Sequence, residues 1–131
     1  MPFTVPTFLV ETADGHNVIM RREAKLWTAV RGSLEAITLP EGGGSDGGSE
    51  PSILWSIPGF APFGPLWRHY VTHDALYRNW AITEGLPWTR ADADLMLLDG
   101  MMNCALDVQL REAIYLGVRE GGQAAWDRGH A

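Results

Sequence analysis

Between Pro40 and Pro51 the chain reads Pro-Glu-Gly-Gly-Gly-Ser-Asp-Gly-Gly-Ser-Glu-Pro. Glycine gives up more backbone freedom on ordering than any other residue, and proline has no amide hydrogen to donate. Such a stretch can be neither a helix interior nor a central strand. Pro58, Pro62 and Pro65 prolong the interruption to the edge of Trp67. The chain is thereby divided into two parts, and the hydrophobic period differs on the two sides.

Before the break the pattern is that of strands. Residues 7–11 and 17–21 flank Ala13-Asp14-Gly15-His16, and Asp-Gly between β-prone runs signals a hairpin. Residues 26–30 and 34–39 flank Arg31-Gly32-Ser33, a second turn. After the break the pattern is helical. A first helix is expected over residues 67–80. Thr89-Arg90-Ala91-Asp92 has the form of a capping box and follows Pro87, so a second helix should start there. Its apolar stripe includes Ala91, Leu95, Leu98, Met102 and Ala105. A third, over residues 108–120, places Leu110, Ala113, Ile114, Gly117 and Val118 at helical spacing. The fold class expected is α+β: an N-terminal antiparallel β-meander followed by a C-terminal bundle of about three helices. At 131 residues the chain has a one-domain length, divided into a meander (1–40), a Gly/Pro-rich loop (41–64) and a helical part (65–131).

Two interpretations of the glycine-rich segment stand. It is a flexible linker, or a loop whose backbone approaches an ion or ligand, with Asp46 supplying charge. The aromatic and aliphatic residues of 53–67 have to be covered by the core, a partner or a bound lipid. A net charge of −6 argues against nucleic-acid phosphates as partners. Cys104 is the single cysteine, so no intrachain disulfide forms; its apolar surroundings suggest a buried thiol. No stretch is long enough to span a bilayer, and the N-terminus lacks the pattern of a Sec signal.

The chemistry-bearing segment is His73-Asp74-Ala75-Leu76-Tyr77-Arg78-Asn79-Trp80. Residues i and i+4 share a helix face, so His73 and Tyr77 point to one spot, with Asp74 turned away by about 100°. Asp94 follows in the second helical pattern among apolar neighbours. A buried carboxylate needs a partner, and His73 and Tyr77 are suitable donors. Asp94 would then fix the imidazole tautomer and leave the other ring nitrogen to accept a proton from water. Asp74, with loop oxygens, is suited to a hard cation such as Ca²⁺. The same His–Asp–Tyr set can equally tie two helices together and do nothing else. His69 and His73 have the i, i+4 spacing of a zinc helix, but the glutamate of that motif is missing. There is no P-loop and no nucleophile-elbow serine. His16 suits a turn, His130 a tail, and the Glu and Arg residues of the last helix a solvated face.

Two resemblances follow. Ile37-Thr38-Leu39-Pro40-Glu41-Gly42, Ser45-Asp46-Gly47-Gly48-Ser49-Glu50-Pro51, Leu54-Trp55, Pro62-Phe63-Gly64, His73-Asp74-Ala75-Leu76-Tyr77-Arg78 and Arg90-Ala91-Asp92-Ala93-Asp94 occur in this order. Together they resemble the DUF1353 family, small proteins common in phages and prophages. Pro40, Gly42, Asp46, Ser49 and Pro51 match the family pattern, whose phenylalanine is Gly43 here. Locally, His73-Asp74-x-x-Tyr77-Arg78-Asn79-Trp80 with Asp94 downstream is similar to the catalytic helices of phospholipase A2, especially bacterial forms. That resemblance implies His73 as the water-activating base, Asp74 as a Ca²⁺ ligand, and Tyr77 and Asp94 as groups that orient His73. The paired cysteines of that family are absent.

The functions expected are therefore a Ca²⁺-dependent ester hydrolase acting on an ester or lipid, with Asp46 joining Asp74 at the metal, or a non-enzymatic phage virion (tail) or accessory protein that binds other phage structural proteins. An inhibitor of host machinery fits the small acidic chain but has no motif behind it. The expected location is the cytoplasm of an infected or lysogenic host, or the virion.

Overall fold

A computed structural model of the protein describes residues 9–11, 18–20, 22–43, 67–104 and 107–131. Strands β1 (Leu9–Glu11) and β2 (Val18–Met20) pair antiparallel, with Leu9 opposite Met20. The expected turn between them and the 44–66 segment, with Asp46, lie outside the described residues. β3 (Ala24–Thr28) and β4 (Glu35–Leu39) form a second hairpin, in register from Ala24 opposite Leu39 to Thr28 opposite Glu35. Its turn passes through Gly32 at φ 102°, a conformation that side-chain-bearing residues avoid. Leu26 and Thr28 are buried while Lys25 and Trp27 face outward, the period of two that a one-sided sheet imposes.

The meander differs from the expected one in two respects. The third strand of this sheet, β5 (Ile82–Thr83), comes after the first helix and pairs with β4, with Ile37 opposite Thr83. Two residues are too few to show an alternating pattern. What delivers β5 to the sheet is the end of α1 (Trp67–Arg78). Asn79 adopts φ 64°, and the amides of Trp80 and Ala81 both turn back to the Ala75 carbonyl. β1 and β2 make a separate two-stranded sheet. Met20 ties it to the rest: its N–H donates to the Gly43 carbonyl and its own carbonyl accepts from Gly42, both at 2.8 Å. Trp80 lies against Gly43, where an added Cβ would sit 2.5 Å from Cε3 of the indole.

α2 (Arg90–Asn103) starts where expected. The Thr89 hydroxyl accepts from Asp92 N–H and the Asp92 carboxylate accepts from Thr89 N–H, each at 3.1 Å. Its apolar stripe has a different phase. The buried residues are Ala93, Asp94, Met96, Leu97, Gly100 and Met101, whereas Ala91 is exposed, Leu95 is 39% exposed and Met102 51%. Hydrophobicity alone misplaces the face because its centre is a charged residue, Asp94. Cys104, the residue just past this helix, is exposed and in no disulfide, contrary to the burial expected from its neighbours. α3 (Val108–Gly121) buries Ile114 and Val118 and half-buries Leu110, while Ala113 and Gly117 remain outside. A fourth helix, α4 (Gln123–Gly129), extends the expected bundle of about three. It follows α3 across a single residue, Gly122, the second of the Gly121-Gly122 pair that ends α3.

α1 sits between the sheet and α2. Val71 and Ala75 pack with Met20 and Leu39, and Leu76 and Tyr77 pack with Leu26, Ile37, Ala93 and Met96. Leu97 and Met101 carry the core on to Ile114 and Val118 of α3. α1 and α2 approach closely at Gly100, where any Cβ would run into the His69 ring. Arg31 locks the segment before α2 onto the β3–β4 turn. Its guanidinium donates to Glu35, to the carbonyls of Glu84, Leu86 and Pro87, and lies 4.7 Å above the Trp88 ring.

Candidate functional site

Asp94 has no solvent exposure, and its carboxylate is where α1, α2 and α3 meet. His73 Nε2 lies 2.8 Å from Oδ1, and the Tyr77 hydroxyl donates to the same oxygen at 2.7 Å. Arg119 Nη1 donates to Oδ2 at 2.8 Å, and Arg90 Nη1 is 3.6 Å from it. The His73 and Tyr77 rings lie 4.4 Å apart, as residues one helical turn apart should. The structure thus brings together His73, Tyr77 and Asp94, the three residues singled out as catalytic candidates. It adds two arginines. Arg90 also donates to the carbonyls of Val118 and Arg119, satisfying acceptors at the end of α3.

The electrostatics follow from this arrangement. Burial by itself would raise the Asp94 carboxyl, but the hydrogen bonds from His73, Tyr77 and Arg119 outweigh it and hold the group below the usual carboxylate range. Burial, together with donation to Asp94, pushes the Tyr77 hydroxyl up, so it remains a donor. An ionised carboxylate only accepts, so the hydrogen between His73 and Asp94 belongs to Nε2. Nδ1 has no hydrogen-bond partner among the described residues. The ring is held at Nε2, and in the neutral ring Nδ1 carries the lone pair.

Asp74 points to a different neighbour. Arg78, one turn further on α1, holds both of its carboxylate oxygens at 3.1 Å. Burial raises the Asp74 carboxyl, and Arg78 and His73 offset part of that rise. Its proposed companion at a metal, Asp46, is outside the described residues. Among the described residues no group of three or more His, Cys, Asp or Glu side chains could hold a metal ion. His69 packs on Gly100, burial pushes its imidazole down, and its Nδ1 is buried with no hydrogen-bond partner among the described residues. His130, expected as a tail residue, stacks on Trp126 with centroids 3.8 Å apart. Trp126 in turn meets Tyr77 edge-on at 5.3 Å.

Arg119 overturns the expectation that the charged residues of α3 only face solvent. Its spacing from the other site residues carries no signal, because α3 reaches Asp94 only through the packing of Leu97 and Met101 on Ile114 and Val118. Arg90 could have been found, since it precedes Asp94 by four residues, the spacing of a helical ion pair.

A family model described as "Protein of unknown function (DUF1353)" matches residues 20–118, which hold both hairpin β3–β4 and every site residue except Arg119. No curated protein and no solved structure matches the chain. The ordered motifs from Ile37 to Asp94 and the match across most of the chain agree: the chain belongs to the DUF1353 family.

Proposed function

We propose that the protein is an ester hydrolase in which His73 activates a water molecule. The observation that supports this is the state of the imidazole: Nε2 is fixed on Asp94 at 2.8 Å and Nδ1 is left without a partner among the described residues. A base held in one tautomer, with its second nitrogen free, is the arrangement that general-base catalysis on water needs. Tyr77, on the same carboxylate oxygen, keeps Asp94 from rotating away. Nδ1 would take the proton as the water oxygen adds to the ester carbonyl, Asp94 would stabilise the imidazolium formed, and Nδ1 would return the proton to the alcohol oxygen as its bond to the carbonyl carbon breaks. An ester or lipid is the substrate class that the local likeness to phospholipase A2 brings. Calcium belongs to the same proposal, with Asp74 and Asp46 as its carboxylates; when bound it would supply positive charge for the developing oxyanion. Arg78 holds both Asp74 oxygens, so an ion there requires that guanidinium to leave.

A second interpretation rests on Arg119. Its guanidinium on Oδ2 already meets the charge of Asp94, which makes the network complete without any catalytic task. On this view the protein is a non-enzymatic phage virion or accessory protein, acting in the virion or the host cytoplasm, and the network only joins three helices. Assays of purified protein on phospholipid vesicles and on a soluble fatty-acyl ester, with and without calcium, separate the two. Hydrolysis that His73→Asn removes while the fold is retained supports the enzyme. No hydrolysis by the wild type, together with a loss of about 1–3 kcal/mol of stability in His73→Asn, supports the clasp.

A further inference from the structure

A cup of about 120 Å³ lies where the end of α1 and the 81–88 segment meet α4. Its buried members are Leu76 and Trp88, which give it an apolar base. Trp126 and His130, stacked on each other, form one side. Asn79 and Thr83 add polar groups. Polar and apolar surface line the cup in similar measure, a mixture that suits a small ring carrying a polar substituent. The volume sets the size of the occupant. It is far below the roughly 300–1,000 Å³ of pockets for drug-sized ligands, and close to the cavity of about 150 Å³ that accepts benzene. A helix, a sugar chain or a bicyclic ring system would not fit wholly within it.

His130 supplies the chemical preference. Its Nδ1 is 3.0 Å from the Trp126 carbonyl, and a carbonyl only accepts, so the hydrogen is on Nδ1. In the neutral ring Nε2 then carries a lone pair, and it has no hydrogen-bond partner among the described residues. The cup thus offers aromatic surface and an acceptor. We propose that it binds a single planar ring bearing a hydroxyl or amino donor, with the ring against Trp126 and the donor on His130 Nε2. Trp126 and His130 lie beyond the segment matched by the family model, so this site is assembled where the family core meets the C-terminal helix of this chain. It involves neither His73 nor Asp94 and is independent of the proposed hydrolysis.

The test uses the full chain and follows indole N–H signals by NMR during titration with phenol, benzene and cyclohexanol. Phenol should shift the Trp88 and Trp126 signals saturably and bind more tightly than benzene, and cyclohexanol, which is not planar, should bind more weakly than either. His130→Ala should abolish the preference for phenol over benzene. Trp126→Ala should weaken phenol by at least about tenfold, as the aromatic wall is lost. Should Trp126→Ala not fold, Thr83→Phe, which keeps strand propensity at β5 and fills the cup, has to lose phenol binding instead. Trp27→Ala, on the exposed face of β3, should leave binding unchanged. No saturable shift at the solubility limit of phenol, or equal binding of all three probes, overturns the proposal.

Discussion

At Asp94 the two carboxylate oxygens are divided between elements: Oδ1 serves α1 through His73 and Tyr77, and Oδ2 serves α3 through Arg119. Removing a charge from a buried, fully paired site leaves its partners unsatisfied, which costs about 3–5 kcal/mol. Asp94→Asn should lose that much in urea unfolding at neutral pH. The pH dependence has a definite sign. Because the folded Asp94 carboxyl is held low, its stabilisation is present above the unfolded value of about 3.9 and is lost as pH falls through the lower folded value. Asp94→Asn should therefore flatten the acid limb of the stability profile. Asp74 has the opposite sign. Its carboxyl is raised, so its contribution is fully present at acid pH and declines as pH rises through the folded value. Asp74→Asn should accordingly show little loss at neutral pH in the same measurement, and a gain in thermal stability from calcium that the wild type shows and this variant lacks would place the ion at Asp74. Cys104 is exposed, although residual burial raises its thiol. A thiol reagent should label it in the native protein without prior unfolding, at a rate that increases with pH.

The elements depend on a few local devices. Thr89 and Asp92 satisfy each other's amide hydrogens at the start of α2, and Thr89→Ala should cost about 1 kcal/mol in chemical denaturation. This cap was legible because it is a four-residue pattern governed by adjacent backbone. The phase of α2 was not. Spacing specifies how often a helix returns to its buried face, while the identity of that face depends on what it meets. Here it meets α1 at Gly100, against the His69 ring. Gly100→Ala should force the two helices apart and cost about 1–3 kcal/mol, read from the same unfolding curves. The Asp107 carboxylate caps α3 by accepting from Leu110 N–H at 3.2 Å, an interaction of the same local kind as the Thr89 cap.

Over the whole molecule, α1 is the shared element: one face contacts the sheet through Val71 and Ala75, and another presents His73 and Tyr77 to α2. α4 closes over its C-terminal end, with Trp126 edge-on to Tyr77 and Gly129 against the Tyr77 carbonyl. This helix lies outside the family-matched segment 20–118. A chain ending at Gly121 should still fold, because the three core clusters and the Arg119–Asp94 pair remain, but it should melt at a lower temperature. The aromatic contact alone contributes about 0.5–1.5 kcal/mol beyond buried area, and a scanning calorimeter would read the loss. No helix among the described residues is long and apolar enough to cross a membrane.

The sequence by itself determined what depends on near neighbours. The glycine and proline run separates β1–β4 from the helices, the hairpin β3–β4 forms around Gly32, Thr89 caps the start of α2, and His73 and Tyr77 share a face because they are one turn apart. It also indicated that Asp94 needs donors, since a carboxylate among apolar residues cannot stay unpaired. Tertiary structure decided what depends on meeting at a distance. β5 joins β4 because Asn79 reverses the chain, Arg119 reaches Asp94 because α3 packs on α2, and Asp74 turns to Arg78. Periodicity and capping are consequences of local backbone geometry, whereas a long side chain finds its partner only after the elements have packed.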